Sequence, residues 1–381
     1  MIYLLPLLIL LFVAIYREYI NDYSVKSNRP IFFIFLSYLV VLMAFRYRIG
    51  IDTLTYMDKY QYVESIGNTT LSAIFSEYEP LNGLLRSITK SFSDDFLLFQ
   101  IVHVVLLNTL LARFILRHTD KILLGLFFYF LLAGIYFNTE ILRESLAVAV
   151  FLNAYDFLLK KKWIQYYLCA FIALGFHTSA LITFIIPFIR HFKANKFFIL
   201  VLIGFAISLM VFAPQLQLIA LYLSPEAASK VLFYLDTFNF DFNFNRYLVG
   251  LSRDIILPFI LLHLYKKKVG ENKYEGIICL SILFSVGSML FPVLFGRLTN
   301  YFLFYYIILL AEASKLNKAA FQHKFVYLAG ICGVFMVTMF MDYMRKNEDN
   351  KNDKLIRYYP YSSVITKEKY PPRESLWFSL P

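Results

Sequence analysis

Several arginines stand beside or inside apolar runs, where a cation is costly and is usually retained for function. Arg46 and Arg48 directly follow one such run, with Gly50 to let the backbone turn and Asp52 close behind. A guanidinium fork matches the oxygens of a phosphate or diphosphate. Asp52 would serve either as a base or as the group that orients the two arginines. Arg143 and Glu144 stand just inside another apolar stretch, where Asn138 or Thr139 is placed to cap a helix. Arg143 would then lie in first turns whose free N–H groups already favour an anion. The plainer alternative is an ion pair with Glu140 one turn back. His177, in GFHTSA, carries a ring able to take or give a proton near neutral pH. Against that stands the commoner case of a buried histidine bonded to backbone. Arg297 follows Pro292 and Gly296 and precedes Thr299, Asn300 and Tyr301, which reads as a further cation at a helix start. Arg246 and Arg253 share a helix face, while Arg253 and Asp254 equally suit a structural pair. Glu77 and Glu79 lie in an acidic connection, and either becomes a general base if that connection folds over the cations.

The elements that hold these residues are built for lipid. Of 381 residues, 59% are hydrophobic and 17% charged, against roughly 45–50% apolar and about 25% charged in soluble domains. Apolar runs near 2–16, 31–45, 96–116, 122–137, 141–159, 164–176, 178–189, 197–213, 247–265, 274–291, 298–313 and 325–341 recur along the chain. Helices are the expected spanning form, because strands would alternate polar and apolar residues. The expected fold is an all-α polytopic transmembrane helix bundle of about 11–12 membrane segments, including a short hairpin near 164–189. Residues 1–341 form its membrane domain, with external connections over 46–95 and 214–246, and 342–381 is a polar tail. The first run lacks the basic start and cleavage site of a signal peptide and is expected to remain as a helix. The tail's Tyr358, Tyr359, Tyr361 and Trp377 suit docking rather than free solution.

Basic clusters set the orientation: Arg17/Lys26/Arg29, Arg113/Arg117/Lys121, Lys160–Lys162, Arg190/Lys193/Lys196, Lys266–Lys268 with Lys273, and Lys315/Lys318/Lys324. Such clusters belong on the cytoplasmic side. All stay there only if residues 163–190 turn back near His177. The candidate cations and acids then gather at the external side, whereas a transporter would place some near the midplane. The formal net charge of +11 is explained by these clusters, so no nucleic-acid partner is expected. Cys169, Cys279 and Cys332 lie in apolar runs without CxxC spacing, and no metal site or disulfide framework is read from them. No P-loop, HExxH or GxSxG is present. The alternation of aromatic and polar residues over 237–246 suits sugars and suits an interfacial aromatic belt equally well.

In order and spacing these segments resemble the EpsG family of bacterial exopolysaccharide proteins, which are similar to the Wzy O-antigen polymerases. The resemblance is carried by RYRIGIDTLTY from Arg46 to Tyr56, Glu79 in YEPLNGLL, ILRESLA from Ile141, GFHTSAL from Gly175, RLTNYF from Arg297 and YYPYSS from Tyr358. Glu144 departs from the pattern, where a glutamine is expected after the arginine. The resemblance implies an inverting, metal-independent transferase with no cofactor, multi-pass in the bacterial inner membrane. It would join polyprenyl-diphosphate-linked oligosaccharides on the external face, with a flippase and a chain-length regulator as partners. Arg143 and Arg297, assisted by Arg46 or Arg48, would hold the departing diphosphate. Arg253, Tyr56 and Tyr301 would contact substrate. His177, Asp52 and Glu79 are the candidate catalytic groups, with His177 slightly preferred as base. The competing expectations are a flippase or exporter of lipid-linked sugars, and a membrane transferase that decorates the polymer.

Overall fold

The computed structural model describes residues 2–70, 74, 79–220, 248, 250–316, 330, 333 and 354–378. Most described residues are helical, with no strand among them and an isolated bridge between Arg46 and Ser363. They form two compact units, residues Met1–Phe184 with Phe325–Pro381 and residues Ile185–Lys324.

In the first unit α1 (Leu4–Ala14) runs on through a π turn to Ile20, followed by α2 (Val25–Ala44), α3 (Ile51–Gln61), α4 (Pro80–Phe92) and α5 (Phe96–His118). Next come α6 (Ile122–Thr139), α7 (Leu142–Leu159), α8 (Trp163–Phe176) and α9 (Thr178–Ile189), whose last residues enter the second unit. By length and composition α2, α5 and α6 are long and apolar enough to cross a membrane, and α8 and α9 are shorter apolar helices. The hairpin expected at 164–189 is present: α8 ends at His177, the chain turns, and Tyr166 donates its hydroxyl hydrogen bond to the Thr183 carbonyl across the turn. Phe171 and Phe184 meet edge-on at 4.9 Å on the same hairpin.

Alternating helix directions separate two ends in this unit. At one end Lys121 contacts Asp22, and Arg117 and His118 lie 3.9 and 3.6 Å from Asp156. At the other end lie Arg46, Glu140, Arg143 and His177, the arrangement required by the basic clusters. Between the ends, Asn108, Tyr129 and Asn138 bond to one another at 2.7–3.1 Å. In an apolar slab such groups hold helices together because each has nowhere else to place its donors. Asn138 is therefore committed to this network near the end of α6, and Thr139 bonds back to Ile135. Neither caps α7, whose N-cap is Ile141 with no side-chain cap. The expected capping fails because α6 runs two residues past the apolar run, so that Asn138 and Thr139 still lie within it.

Two helix starts are capped from a distance. The Glu18 carboxylate, 1% exposed, accepts from the backbone N–H groups of Leu123 and Leu124 at 2.8 and 2.9 Å at the start of α6. Glu140 accepts from Ile51 and Asp52 at 3.2 and 2.9 Å at the start of α3. In both cases the local N-cap residue, Lys121 or Gly50, supplies no side-chain cap. Glu140 thus serves α3 rather than the alternative ion pair with Arg143.

Gly50 has φ +90, and a Cβ there would meet the Thr139 Cβ at 2.9 Å and its carbonyl oxygen at 3.0 Å. The glycine both reverses the chain after α2 and lets α3 approach the end of α6. Gly50→Ala is expected to cost about 2–4 kcal/mol from backbone strain and overpacking. Thermal unfolding in detergent should show it as a clear fall in midpoint; an unchanged midpoint contradicts the tight fit.

The connection 46–95 contains α3 and α4, and the tail is docked rather than loose. Its helices α14 (Lys354–Tyr358) and α15 (Pro371–Phe378) belong to the first unit, and α15 packs on α3. Tyr47 N–H donates to Ser362 O at 2.8 Å, Val364 N–H to Phe45 O at 2.9 Å, and Gly50 N–H to Arg357 O at 3.0 Å. The Tyr361 hydroxyl bonds to Leu42 O at 2.9 Å and its ring meets Tyr3 edge-on at 6.1 Å.

The second unit contains α10 (Lys196–Ala220), a π turn over Leu251–Ile256 leading into α11 (Leu257–Lys268), α12 (Glu275–Leu290) and α13 (Pro292–Glu312). Residues Leu294–Lys315 are long and apolar enough to cross a membrane. Glu275 accepts from Ala194 N–H at 2.8 Å, and Tyr265 bonds to Glu312 at 3.0 Å. Most of the expected run 325–341, most of the connection 214–246 with its aromatic–polar alternation, Arg246, Glu77 and Cys332 lie outside the described residues.

Candidate functional site

At the end of the first unit opposite its basic clusters, four segments deliver polar side chains to one place. Arg143 arrives on the first turn of α7, Tyr56 on α3, Glu79 just ahead of α4, and His177 in the break after α8. Glu79 precedes Pro80, which keeps it out of the helical region and occupies the first helical position, where its missing N–H costs nothing. Its carboxylate is 7% exposed. One oxygen, Oε2, accepts a short hydrogen bond from Arg143 Nη1; the other, Oε1, lies 3.6 Å from His177 Nε2. Arg143 Nε also donates to the Tyr56 hydroxyl at 3.2 Å, with the guanidinium 5.7 Å from that ring's centre. With both contacts made, the Arg143 side chain is still 40% exposed. Burial pushes the Tyr56 phenol up, and adjacent Arg143 only partly offsets this.

This constellation depends on α8 lying close against α4. A Cβ on Gly175 would stand 2.7 Å from Leu81 Cγ, so the glycine sets the separation between the helices carrying His177 and Glu79. Gly175→Val is expected to wedge them apart. A misplacement of about 1 Å can cost on the order of 100-fold in rate, so polymer formation in a complemented deletion strain should fall by that order at equal protein level, with Gly175→Ala milder. Equal polymer from the valine variant contradicts the close approach.

The other expected site residues have different surroundings. Arg46 is 1% exposed; it donates to Met43 O at 2.6 Å and to Thr53 Oγ1 at 3.4 Å. Burial pushes its guanidinium down to about 9. Arg48 is committed to the tail: Nε donates to Glu374 Oε1 at 2.7 Å, and Nη2 to the other oxygen. That bond raises its affinity for its proton. Both arginines are expected from sequence beside a diphosphate; in the structure Arg46 turns back onto α2 and α3, and Arg48 pairs with Glu374 of the tail. Asp52 is exposed in the first turn of α3, a favourable end for a carboxylate. Glu144 is buried at 2% exposure.

In the second unit, Arg253 and Asp254 form a bidentate pair at 2.7 and 2.8 Å within the π turn, and Tyr306 bonds to the Arg253 carbonyl at 2.8 Å. That is the structural pairing of the two sequence readings. Arg297 is exposed on α13. The helix begins at Pro292 rather than at Arg297, so the arginine lies on its second turn. Tyr301 is fully buried.

A family model described as the EpsG family matches residues 28–363. The chain belongs to the EpsG family. The match runs from within α2 to the first part of the docked tail, and EpsG membership together with the apolar helices makes this a membrane protein of exopolysaccharide biosynthesis. No curated protein and no solved structure matches the chain. For this EpsG-family chain, the residues underweighted in sequence are Glu79, Ser179 and Glu140. The Glu-Pro start of α4 and the Thr-Ser pair behind His177 were visible signals for the first two; Glu140 acts across more than eighty residues and left none.

Proposed function

We propose that this EpsG-family protein joins polyprenyl-diphosphate-linked repeat units into polysaccharide on the external face of the bacterial inner membrane. The observation that carries the reading is the meeting of Glu79, Arg143, Tyr56 and His177 from separate segments at one end of the first unit. That end is opposite the basic clusters, which belong on the cytoplasmic side. The half-exposed Arg143 guanidinium suits a diphosphate leaving group, and Tyr56, which already accepts from Arg143, keeps its own proton to donate to a phosphate oxygen. Charge grows on the diphosphate as the glycosidic bond breaks, so these donors act most strongly in the transition state. The acceptor hydroxyl attacks the opposite face of the anomeric carbon, with inversion, while a site base takes its proton. Guanidinium and phenol supply the electrophilic assistance, so the step needs no metal. A flippase delivering the units and a chain-length regulator are the expected partners.

The test is a deletion strain complemented with this chain. Lost polymerisation leaves acceptors carrying a single repeat unit. Absence of any external unit points to a flippase, and full-length polymer missing a branch points to a decorating transferase; either result overturns the proposal.

A further inference from the structure

We infer that Glu79 is the group that takes the acceptor's proton, and that His177 is a positioning residue locked in one tautomer, an assignment that rests on the transferase reading above. The lock is visible in the turn between α8 and α9. His177 Nδ1 accepts the backbone N–H of Ser179 at 3.2 Å and lies 2.6 Å from the Ser179 hydroxyl. A backbone N–H can only donate, so Nδ1 must present its lone pair. The single proton of the neutral ring then resides on Nε2, which is the nitrogen 3.6 Å from Glu79 Oε1. Neither ring nitrogen is left as an open base.

Glu79 has the complementary properties. Its carboxylate accepts from Arg143 on Oε2, and His177 Nε2 stands 3.6 Å from Oε1. Its backbone is fixed by Pro80 and its side chain is nearly buried. It meets the cation expected to hold the leaving group, so the attacking hydroxyl and the departing diphosphate would be served by neighbouring side chains. In the step, the acceptor oxygen bonds to the anomeric carbon and the carbon–oxygen bond to the diphosphate breaks. Its electron pair leaves with the diphosphate. The hydroxyl proton passes to Glu79, which returns it to water before the next unit arrives.

Two measurements on the purified full chain in nanodiscs test this. The first is the 15N spectrum of histidine-labelled protein, with His177 assigned by difference against His177→Gln among the six histidines. A neutral ring protonated on Nε2 is expected; a ring protonated on Nδ1 overturns the lock. The second is the rate–pH profile for glycan transfer, using lipid-linked repeat units extracted from the deletion strain. Glu79→Gln should lose at least about 100-fold, the scale of a general base. His177→Gln, whose amide N–H can still reach the carboxylate, should lose about tenfold or less, the scale of one hydrogen bond, and should keep the acidic limb of the wild-type profile. Loss of that limb in His177→Gln, or near-normal transfer by Glu79→Gln, overturns the assignment. The nitrogen spectrum needs no substrate, so a wrong proton acceptor and a wrong reaction are told apart.

Discussion

Arg143→Ala should lower polymer formation by roughly 100- to 1,000-fold, the cost of removing one preorganised donor from a developing anion. The arginine does two things in the structure. Its exposed portion is available to a ligand, and its Nη1 neutralises the nearly buried Glu79 carboxylate. Alanine removes both, leaving, among the described residues, an acid with His177 beside it. A buried charge that loses its partner is itself destabilising, so protein level must be measured in the same membranes. Arg143→Lys separates the effects. Lysine returns a positive charge but not the planar fork that bonds Tyr56 and Glu79 together, so normal protein level with most of the activity still missing is expected. Long polymer made by Arg143→Ala at a normal protein level would remove this residue from the reaction.

The second large effect concerns stability. Arg373 is 1% exposed and donates to three carbonyl oxygens, those of Ile356 at 2.9 Å, Arg48 at 3.0 Å and Pro360 at 2.7 Å. Burial lowers its hold on its proton, so the bonds must compensate a real desolvation cost. Arg373→Ala strands buried acceptors on both the tail and the segment after α2, at about 3–5 kcal/mol. Thermal unfolding in detergent should show a markedly lower midpoint, with Arg373→Lys no substitute because one ammonium cannot reach three spread carbonyls in a plane. Activity should fall in parallel, since the same segment leads through Gly50 into α3 and Tyr56. An unaltered midpoint would mean that the tail is not the clasp its contacts describe.

The clasp holds Arg48, while Arg46 turns back onto α2 and α3. In sequence they are cations at an apolar edge next to a glycine and an aspartate, which is the pattern an anion site would show. Glu374 lies more than three hundred residues away, and no local spacing announces it. Arg143 presents the opposite case. Its surroundings in sequence, polar residues opening an apolar helix, are the ones it keeps in the fold, and only its partner changed from Glu140 to Glu79.

Composition and periodicity by themselves determined the all-α class, the positions of most helices, the hairpin that turns at His177 and, within the first unit, the separation of its basic clusters from the candidate site. These follow from the bilayer, which demands apolar segments of fixed length with every backbone group satisfied internally, and such a demand is written residue by residue along the chain. Tertiary structure alone decided which carboxylate meets which cation: Glu79 with Arg143, Glu374 with Arg48, Glu140 with the start of α3. Each pair joins segments far apart in sequence, and a carboxylate's partner is chosen by which helix ends packing brings within hydrogen-bond reach, a distance that sequence spacing does not encode.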